Sequence, residues 1–290
     1  MNDMAIIAVD LGGTKIRLGK VKQSMVTQIV TRPVPKTDQP DDVTNEIIGG
    51  IESIFDKDVA AIGIGVPSVV DVEKGIVYDV TNIPSWKEVH LKEILENKFK
   101  VPVLVNNDAN CFGVGEAHFG KGQKFRNIVA MILGTGLGCG IIIDRRLYSG
   151  TNCGAGEIGT IPYKGYTVEY FCSGQFFTRE LGVSGEIASQ RAVEKDSAAL
   201  RTFEEFGKEL AHAMMTVLYA YDPEIVILGG SVSKSFSFFE RTMWEQLNAN
   251  FAYQTALKRL VIDVSDLSDS ALLGAAALYL DAMEKHDTSR

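Results

Sequence analysis

The chain has 290 residues with 46% hydrophobic content, which is enough to bury one large core or two smaller ones. Its 37 acidic and 29 basic residues give a net charge of -8, which argues against a nucleic-acid partner because such a partner requires a basic face. No segment has the apolar length that spans a bilayer, and the start of the chain lacks the features of a signal peptide, so we expect a cytoplasmic protein without a membrane partner. The 4 cysteines form no CxxC pair and are expected to be reduced thiols.

The first predicted element is a β-hairpin with a glycine-rich tip. Apolar runs that start at Ala5 and end at Val21 flank the tip segment Asp10-Leu-Gly-Gly-Thr-Lys15. Glycine has no Cβ, so backbone N–H groups at such a tip can approach a bulky anion, and phosphate is the obvious candidate. For one such loop taken alone, a glycine-rich turn without a ligand is an equal alternative.

The centre of the chain repeats this plan. Met131–Ile143 consists of an apolar run, the segment Leu-Gly-Thr-Gly-Leu-Gly and a second apolar run. A device repeated at half-chain spacing indicates a duplicated domain. Two tips facing each other across a cleft would hold a polyphosphate between two lobes. We place these lobes at about residues 1–115 and 116–274, with a C-terminal helix at about 275–290 that packs back on the first lobe.

Strands and helices alternate through the rest of the chain, which indicates βαβ units, a largely parallel sheet and an α/β fold. The further predicted strands are Met25–Thr31, Ala60–Val66, Gly75–Tyr78, Val101–Val105, Glu224–Leu228 and Leu260–Val264. The main predicted helices begin near Asp41, at Leu91, at Phe203 and at Ser268.

Polar residues stand where an open α/β sheet binds ligands. Asn106-Asn107-Asp108 directly follow a predicted parallel strand and precede a helix. Asp108 could serve only as a helix N-cap, but three consecutive amide and carboxylate groups exceed what a cap requires. Farther along, Glu157 lies among glycines one hairpin beyond the central tip, and Gly229-Gly230-Ser231 follow a strand where the backbone can approach a phosphate closely.

Together these motifs resemble the ROK family of sugar kinases, which have the actin-like, ribonuclease H-like ATPase fold. The resemblance covers nearly the whole chain and rests on five segments in the family's order. They are Asp10–Lys15 and Leu133–Gly138 for the two phosphate motifs, Asn82–Trp86 for the loop beside the sugar, Asn106–Asp108 for the catalytic segment and Asp222–Ser231 for the adenosine side. Trp86 itself is expected to fill the core.

The resemblance implies a role for each candidate residue. Asp108 would be the catalytic base that accepts the proton of the attacking sugar hydroxyl, and Asp10 would orient Mg²⁺ through water. The expected sugar-binding residues are Asn82, Asn107, Asp108, Glu157, Thr160 and Glu169. The expected ATP-binding residues are Asp10, Gly12, Gly13, Thr14, Lys15, Gly134, Thr135, Gly136, Gly229, Gly230 and Ser231. The resemblance also implies a homodimer.

Two departures from the family pattern concern zinc and the sugar. Thr160 stands at the fourth position of the family's Glu-Ile-Gly-His pattern, and Pro162–Val168 is too short for the usual cysteine cluster. Zn²⁺ requires four N, S or O ligands, so we predict no structural zinc. A threonine hydroxyl cannot reach or donate as an imidazole would, which leaves the sugar preference open.

The resemblance therefore implies an ATP- and Mg²⁺-dependent kinase for the 6-hydroxyl of a hexose, with glucose as the first expectation. N-acetylmannosamine kinase and fructokinase are alternatives within this class. A non-catalytic sugar-sensing protein of the same family is the alternative from another class, although the acidic charge and the early position of Asp10 disagree with a preceding DNA-binding domain. A filament-forming ATPase would have no use for the sugar-binding residues, and the glycine spacing fits neither a dinucleotide-binding loop nor a Walker loop.

Overall fold

The computed structural model describes residues 4–287, with side chains described up to Glu284. Within this range the chain divides into two compact units. Unit 1 comprises residues 4–123, 146–155 and 267–287, and unit 2 comprises residues 124–145 and 156–266. No helix in this part of the chain is long and apolar enough to cross a bilayer.

The elements alternate along the chain. The strands are β1 (Ala5–Leu11), β2 (Lys15–Lys22), β3 (Met25–Pro33), β4 (Val59–Val66), β5 (Val69–Asp71), β6 (Ile76–Tyr78), β7 (Glu88–Val89), β8 (Val103–Asn107), β9 (Ile128–Leu133), β10 (Leu137–Ile143), β11 (Arg146–Leu147), β12 (Pro162–Tyr163), β13 (Tyr166–Thr167), β14 (Ile225–Gly229) and β15 (Val261–Val264). The helices are α1 (Pro40–Glu52), α2 (Leu91–Phe99), α3 (Asp108–Phe119), α4 (Val168–Cys172), α5 (Gly174–Leu181), α6 (Gly185–Val193), α7 (Ser197–Tyr221), α8 (Phe236–Asn250), α9 (Gln254–Leu257) and α10 (Ser270–Asp287).

The main sheet of unit 1 has the strand order β3-β2-β1-β4-β8. β2 runs antiparallel to both β1 and β3, whereas β4 and β8 run parallel to β1. Helix α10 lies directly on this sheet, because a Cβ on Gly63 of β4 would come within 1.9 Å of the Ala275 carbonyl oxygen. Glycine is the one residue without a Cβ, so it permits this approach of helix to strand.

The strands of unit 2 have the order β10-β9-β14-β15, with β9 and β10 antiparallel and β14 and β15 parallel to β9. Its core is rich in aromatic side chains, and Phe177, Phe203, Phe206 and Phe239 are fully buried. A glycine-tipped hairpin followed by parallel strands therefore occurs in both units, as the repeated motif predicts. Each sheet is mixed rather than largely parallel, because each starts with such a hairpin.

Three boundaries differ from the sequence prediction. β8 runs through Asn107, so two of the three consecutive polar residues belong to the strand itself. α7 begins at Ser197 and not at Phe203, because Asp196 caps it by accepting a hydrogen bond from the Ala199 N–H at 2.8 Å. Residues 146–155 join unit 1, where the side chain of Cys153 is buried in the core.

Candidate active site

The carboxyl ends of three adjacent parallel strands bring together the first group of candidate residues, in unit 1. Asp10 in β1 is paired with Gly65 in β4, and Gly65 is paired with Asn106 in β8. Asn107 and Asp108 follow at the same edge of the sheet. In open α/β sheets this edge is where ligands bind, and the structure therefore supports the placement expected from the sequence.

Asp108 is the first residue of α3, and its side chain is exposed. Asn107 is the N-cap of the helix, since its Oδ1 accepts a hydrogen bond from the Ala109 N–H at 2.9 Å. Asp108 Oδ1 accepts from the same N–H at 2.8 Å. Because Asn107 occupies the capping position, the carboxylate of Asp108 is not required for that role.

The negative charges of Asp10 and Asp108 both affect the thiol of Cys111. The buried thiol of Cys111 has its pKa raised well above the ordinary value by burial, and then by the negative charges of Asp108 and Asp10. Burial also raises the pKa of Asp10, while the positive charge of Arg17 lowers it. Arg17 is itself paired with Asp269 at 2.6 Å. Both carboxylates are thus close enough to Cys111 for their charges to affect its thiol.

Asn106 anchors the polar segment from behind. Its buried Oδ1 accepts hydrogen bonds from the Asn107 N–H at 2.9 Å, from Asn110 Nδ2 at 2.9 Å and from the Cys153 thiol at 3.2 Å. These bonds tie the end of β8, the start of α3 and the loop around Cys153 into one network. All four cysteines are buried thiols, which suits such packing roles.

The tip of the first hairpin packs against the loop that carries Asn82. The Gly12 N–H donates to the Lys15 carbonyl at 2.9 Å and closes the tip. A Cβ on Gly13 would lie 2.9 Å from Asn82 Cβ, so only glycine fits there without displacing the loop. Gly13, Thr14 and Asn82 line an open cavity of about 420 Å³, and the side chain of Lys15 is exposed.

Trp86 fills the core of unit 1, as the sequence suggests. Its side chain is fully buried, and Nε1 donates to the Pro40 carbonyl at 3.0 Å. The indole therefore fixes the position of the Asn82 loop from inside and does not contact a ligand.

The second group of candidate residues surrounds the hairpin tip of unit 2, Gly134–Leu137, which we call the central tip. The Gly134 N–H donates to the Gly136 carbonyl at 3.0 Å and closes the turn. Glu169, in the first turn of α4, accepts a hydrogen bond from the Leu137 N–H at 3.1 Å through Oε2. A Cβ on Gly136 would lie only 2.7 Å from that same carboxylate oxygen. Glycine at this position thus allows Glu169 to sit on the tip.

Glu157 and Glu169 are close enough to influence each other. Loss of solvent around the Glu157 carboxyl raises its pKa, and the negative charge of Glu169 raises it further. Ionised carboxylates only accept hydrogen bonds, so two of them can together accept from several hydroxyl groups. Thr160 lies one short 3-10 turn beyond Glu157, is exposed, and donates its hydroxyl to the Glu157 carbonyl at 2.8 Å. Its hydroxyl proton is therefore already engaged with the backbone.

A cavity of about 240 Å³ opens on the other side of the central tip. Gly134, Thr135 and Ser231 line it, together with the starts of helices α5 and α6. Gly230, at φ +85°, packs so closely on the tip that a Cβ would lie 2.4 Å from the Leu133 carbonyl oxygen. Gly229 pairs with Ile132 in the sheet and holds the segment in register. Gln175 and Thr178 also line this cavity but are not among the residues expected from the sequence, although the Ser173-Gly174 helix start beside them can be recognised there.

Aromatic and cationic side chains occupy the segment from Pro162 to Phe171. Tyr163 stacks on His212 with centroids 4.1 Å apart, and Tyr166 stacks on Tyr170 at the same separation. Lys164 pairs with Glu209 at 2.7 Å. Among the described residues, no group of three or more His, Cys, Asp or Glu side chains is arranged to hold a metal ion. Ring stacking and ion pairing therefore stabilise this hairpin.

The donor set still suits Mg²⁺ in the manner usual for kinases. Mg²⁺ keeps several of its waters and takes one or two protein carboxylates together with phosphate oxygens, so it does not require a cage of protein ligands. Asp10 offers a carboxylate beside the first glycine tip, at the edge of the sheet.

Comparison with known proteins supports the family resemblance. A model described as "ROK family" matches residues 6–282. The glucokinase of Thermotoga maritima is 29% identical over 96% of this chain and 98% of its own length. The xylose repressor of Caldicellulosiruptor bescii is 29% identical over 78% of this chain, which corresponds to 64% of the repressor.

One solved structure adds ligands to the comparison. The crystal structure of a ROK family glucokinase from Streptomyces griseus in complex with glucose and AMPPNP has a TM-score of 0.80 and 26% identity, covering 94% of this chain and 98% of that one. The α/β fold class and the family resemblance inferred from the sequence are confirmed.

Proposed function

The chain belongs to the ROK family, and on this premise we propose that it is an ATP-dependent kinase that phosphorylates the 6-hydroxyl of a hexose, with glucose as the first substrate. The observation that carries the proposal is the register of unit 1, which brings Asp10, Asn106 and the start of α3 at Asp108 to one edge of the sheet. The similar glucokinases support the choice of glucose.

In the proposed reaction, Asp108 accepts the proton of the attacking sugar hydroxyl. That oxygen forms a bond to the γ-phosphorus of ATP, the bond from phosphorus to the bridging oxygen breaks, and ADP leaves. Phosphoryl transfer depends mainly on positioning and on neutralising charge, so an aspartate that orients the hydroxyl suffices as base. Asn107, Glu157 and Glu169 would fix the sugar by accepting and donating hydrogen bonds. Mg²⁺, when bound near Asp10, would neutralise charge on the phosphates.

The position of the transferred phosphate tests the proposal directly. Glucose should yield glucose 6-phosphate, identified by phosphorus–proton correlation in the NMR spectrum, whereas 6-deoxyglucose should give no product above the rate of ATP hydrolysis. Product formation on 6-deoxyglucose at the rate seen with glucose would contradict the assignment of the 6-hydroxyl.

A sugar-sensing protein without catalysis is the second candidate, favoured by the similarity to a xylose repressor. This alternative predicts that the protein binds sugars with measurable affinity but releases no ADP when it is given ATP and a sugar. Calorimetric titration with glucose and xylose, combined with an ADP-release assay on the same preparation, separates the two functions.

We expect the substitution Gly136→Ala to weaken sugar binding. The new methyl group would lie 2.7 Å from Glu169 Oε2, so the carboxylate must leave its bond to the Leu137 N–H. Loss of one charge-assisted hydrogen bond corresponds to about a tenfold increase in KM for the sugar. The matched control is Gly154→Ala, since a Cβ there meets no atom within 4 Å. Equal KM values for both variants would count against a sugar-binding role for Glu169.

We expect sugar binding to release protons at mildly acidic pH. The pKa of Glu157 is raised in the unliganded protein, so part of the population is protonated at a pH where an ordinary glutamate is ionised. Sugar hydroxyls donate to the ionised form, so binding lowers the pKa of Glu157 and affinity falls as the pH drops through the raised pKa. Calorimetry in buffers of different ionisation enthalpy measures this release, and Glu157→Gln should abolish it. Proton uptake in the unsubstituted protein would contradict the role of Glu157.

A further inference from the structure

Two short helices are hydrogen-bonded to the two ends of the central tip of unit 2. From α4, Glu169 accepts the hydrogen bond of the Leu137 N–H at 3.1 Å. From α5, the Gly174 N–H donates to the carbonyl of Gly134 at 2.7 Å. The tip therefore cannot shift without changing the position of at least one of the two helices.

Helix α5 also forms part of the cavity beside the tip. Gln175 and Thr178 line this cavity of about 240 Å³, and Gln175 Nε2 donates to the Thr135 carbonyl at 3.2 Å. A nucleotide in the cavity would therefore contact α5 and the tip together. In contrast, Glu169 lies on α4, the helix that precedes α5 in the chain.

Arg179 connects the two helices. It belongs to α5, and its Nη1 donates to the carbonyl of Tyr170, the residue that follows Glu169, at 2.7 Å. Its guanidinium carbon lies 4.1 Å from the centroid of the Tyr170 ring, 5.2 Å from that of Phe171 and 5.1 Å from that of Phe176. One side chain, only 25% exposed, thus combines a charge-assisted hydrogen bond with three cation–π contacts.

Within unit 2 the central tip is bonded to Glu169, the adjacent Tyr170 is bonded to Arg179, and α5, which carries Arg179, is bonded to the tip. We propose that Arg179 is a positioning residue that couples occupation of the nucleotide cavity to the placement of Glu169, so that nucleotide and sugar strengthen each other's binding. This inference rests on the proposed function, since it takes Glu169 as a sugar ligand and the cavity as a nucleotide site. Thermodynamic linkage requires the effect to be equal in both directions.

The segment that carries Glu169 has anchors besides Arg179. Tyr163 stacks on His212, and Lys164 pairs with Glu209, both partners lying on α7. Val168 N–H also donates to the Ile161 carbonyl at 2.9 Å. Loss of the Arg179 contacts should therefore loosen α4 against α5 without unfolding the segment.

The test uses Arg179→Met, which keeps an unbranched side chain and removes the guanidinium. Calorimetry measures the dissociation constant of glucose, or of whichever hexose is turned over, with and without saturating Mg-AMPPNP. We expect at least about fivefold tighter sugar binding with the nucleotide in the unsubstituted protein, and a ratio within about twofold of one in the variant. Arg179→Lys keeps the charge but not the planar fork and should give an intermediate ratio.

Arg241→Met is the matched control. Arg241 lies on α8 and pairs with Glu204 at 2.8 Å and Glu245 at 2.7 Å, so its loss removes a guanidinium and two ion pairs that do not involve α4, α5 or the central tip. It should retain the ratio of the unsubstituted protein. An unchanged ratio in both Arg179 variants, or a ratio of one in the unsubstituted protein while it turns over sugar, would overturn the inference alone. If no sugar is bound or turned over, the proposed function falls and this inference falls with it. If Arg179→Met does not fold, Arg179→Lys decides.

Discussion

Replacement of Asp108 by asparagine is expected to lower kcat by two to four orders of magnitude while the protein stays folded. Removal of a general base typically costs a factor of this size, equivalent to about 3 to 5 kcal/mol of activation free energy. The amide oxygen of asparagine can still accept the Ala109 N–H that Asp108 Oδ1 accepts at 2.8 Å. Asn107 remains the N-cap of α3, so we expect a melting temperature close to that of the unsubstituted protein.

The control for this variant is Asp79→Asn, which makes the same charge change on an exposed side chain that pairs with Lys87 at 3.6 Å. Coupled ADP release, measured at saturating ATP over a range of sugar concentrations, gives kcat for both. Asp79→Asn should retain the full rate. Equal rates for the two variants would show that Asp108 is not the catalytic base.

The substitution Gly63→Ala is expected to destabilise unit 1 by about 3 kcal/mol. The added methyl would lie 1.9 Å from the carbonyl oxygen of Ala275 and 2.7 Å from its carbonyl carbon, so helix α10 must move as a body. Overpacking usually costs 1–3 kcal/mol, and the clash here involves backbone atoms that no rotamer change can relieve, which places the cost near the upper end. For a unit of this size the melting temperature should fall by about 6–12 °C.

Gly49→Ala provides a control of opposite sign. Gly49 lies inside α1, and a Cβ at this position meets no atom within 4 Å. Alanine in a helix interior is favoured over glycine by up to about 1 kcal/mol, so this variant should melt at or above the temperature of the unsubstituted protein. Differential scanning calorimetry compares the two variants. A Gly63→Ala protein that melts unchanged would show that α10 does not pack on β4 as described.

Much of unit 1's candidate site could be predicted because its residues are adjacent in sequence or follow strands at fixed spacing. Asp10 and Asp108 each come at the end of an apolar run, and parallel strands place such ends on one edge of a sheet. The register that puts Gly65 between Asp10 and Asn106 could not be read from the chain, since it depends on pairing between distant strands.

Other features depend on contacts that leave no periodic signal. The approach of α10 to Gly63 joins residues at opposite ends of the chain, and a lone glycine in a strand does not name its neighbour. No sequence pattern marks Arg179, because its partners Tyr170 and Phe171 belong to a different helix. Likewise, the sequence of the hairpin from Pro162 shows only that the family's cysteines are absent. Its aromatic packing depends on the fold, which brings the stacked rings together.

Transfer of phosphate from ATP to a hexose is tested most directly by an ADP-release assay. ADP release with Mg-ATP is followed against glucose, mannose, fructose, allose, glucosamine, N-acetylglucosamine and N-acetylmannosamine, each with and without a zinc-selective chelator. We expect sugar-dependent turnover, highest with glucose, at a rate that the chelator does not change. Turnover with none of these sugars, in a protein that is folded and binds ATP, would contradict it.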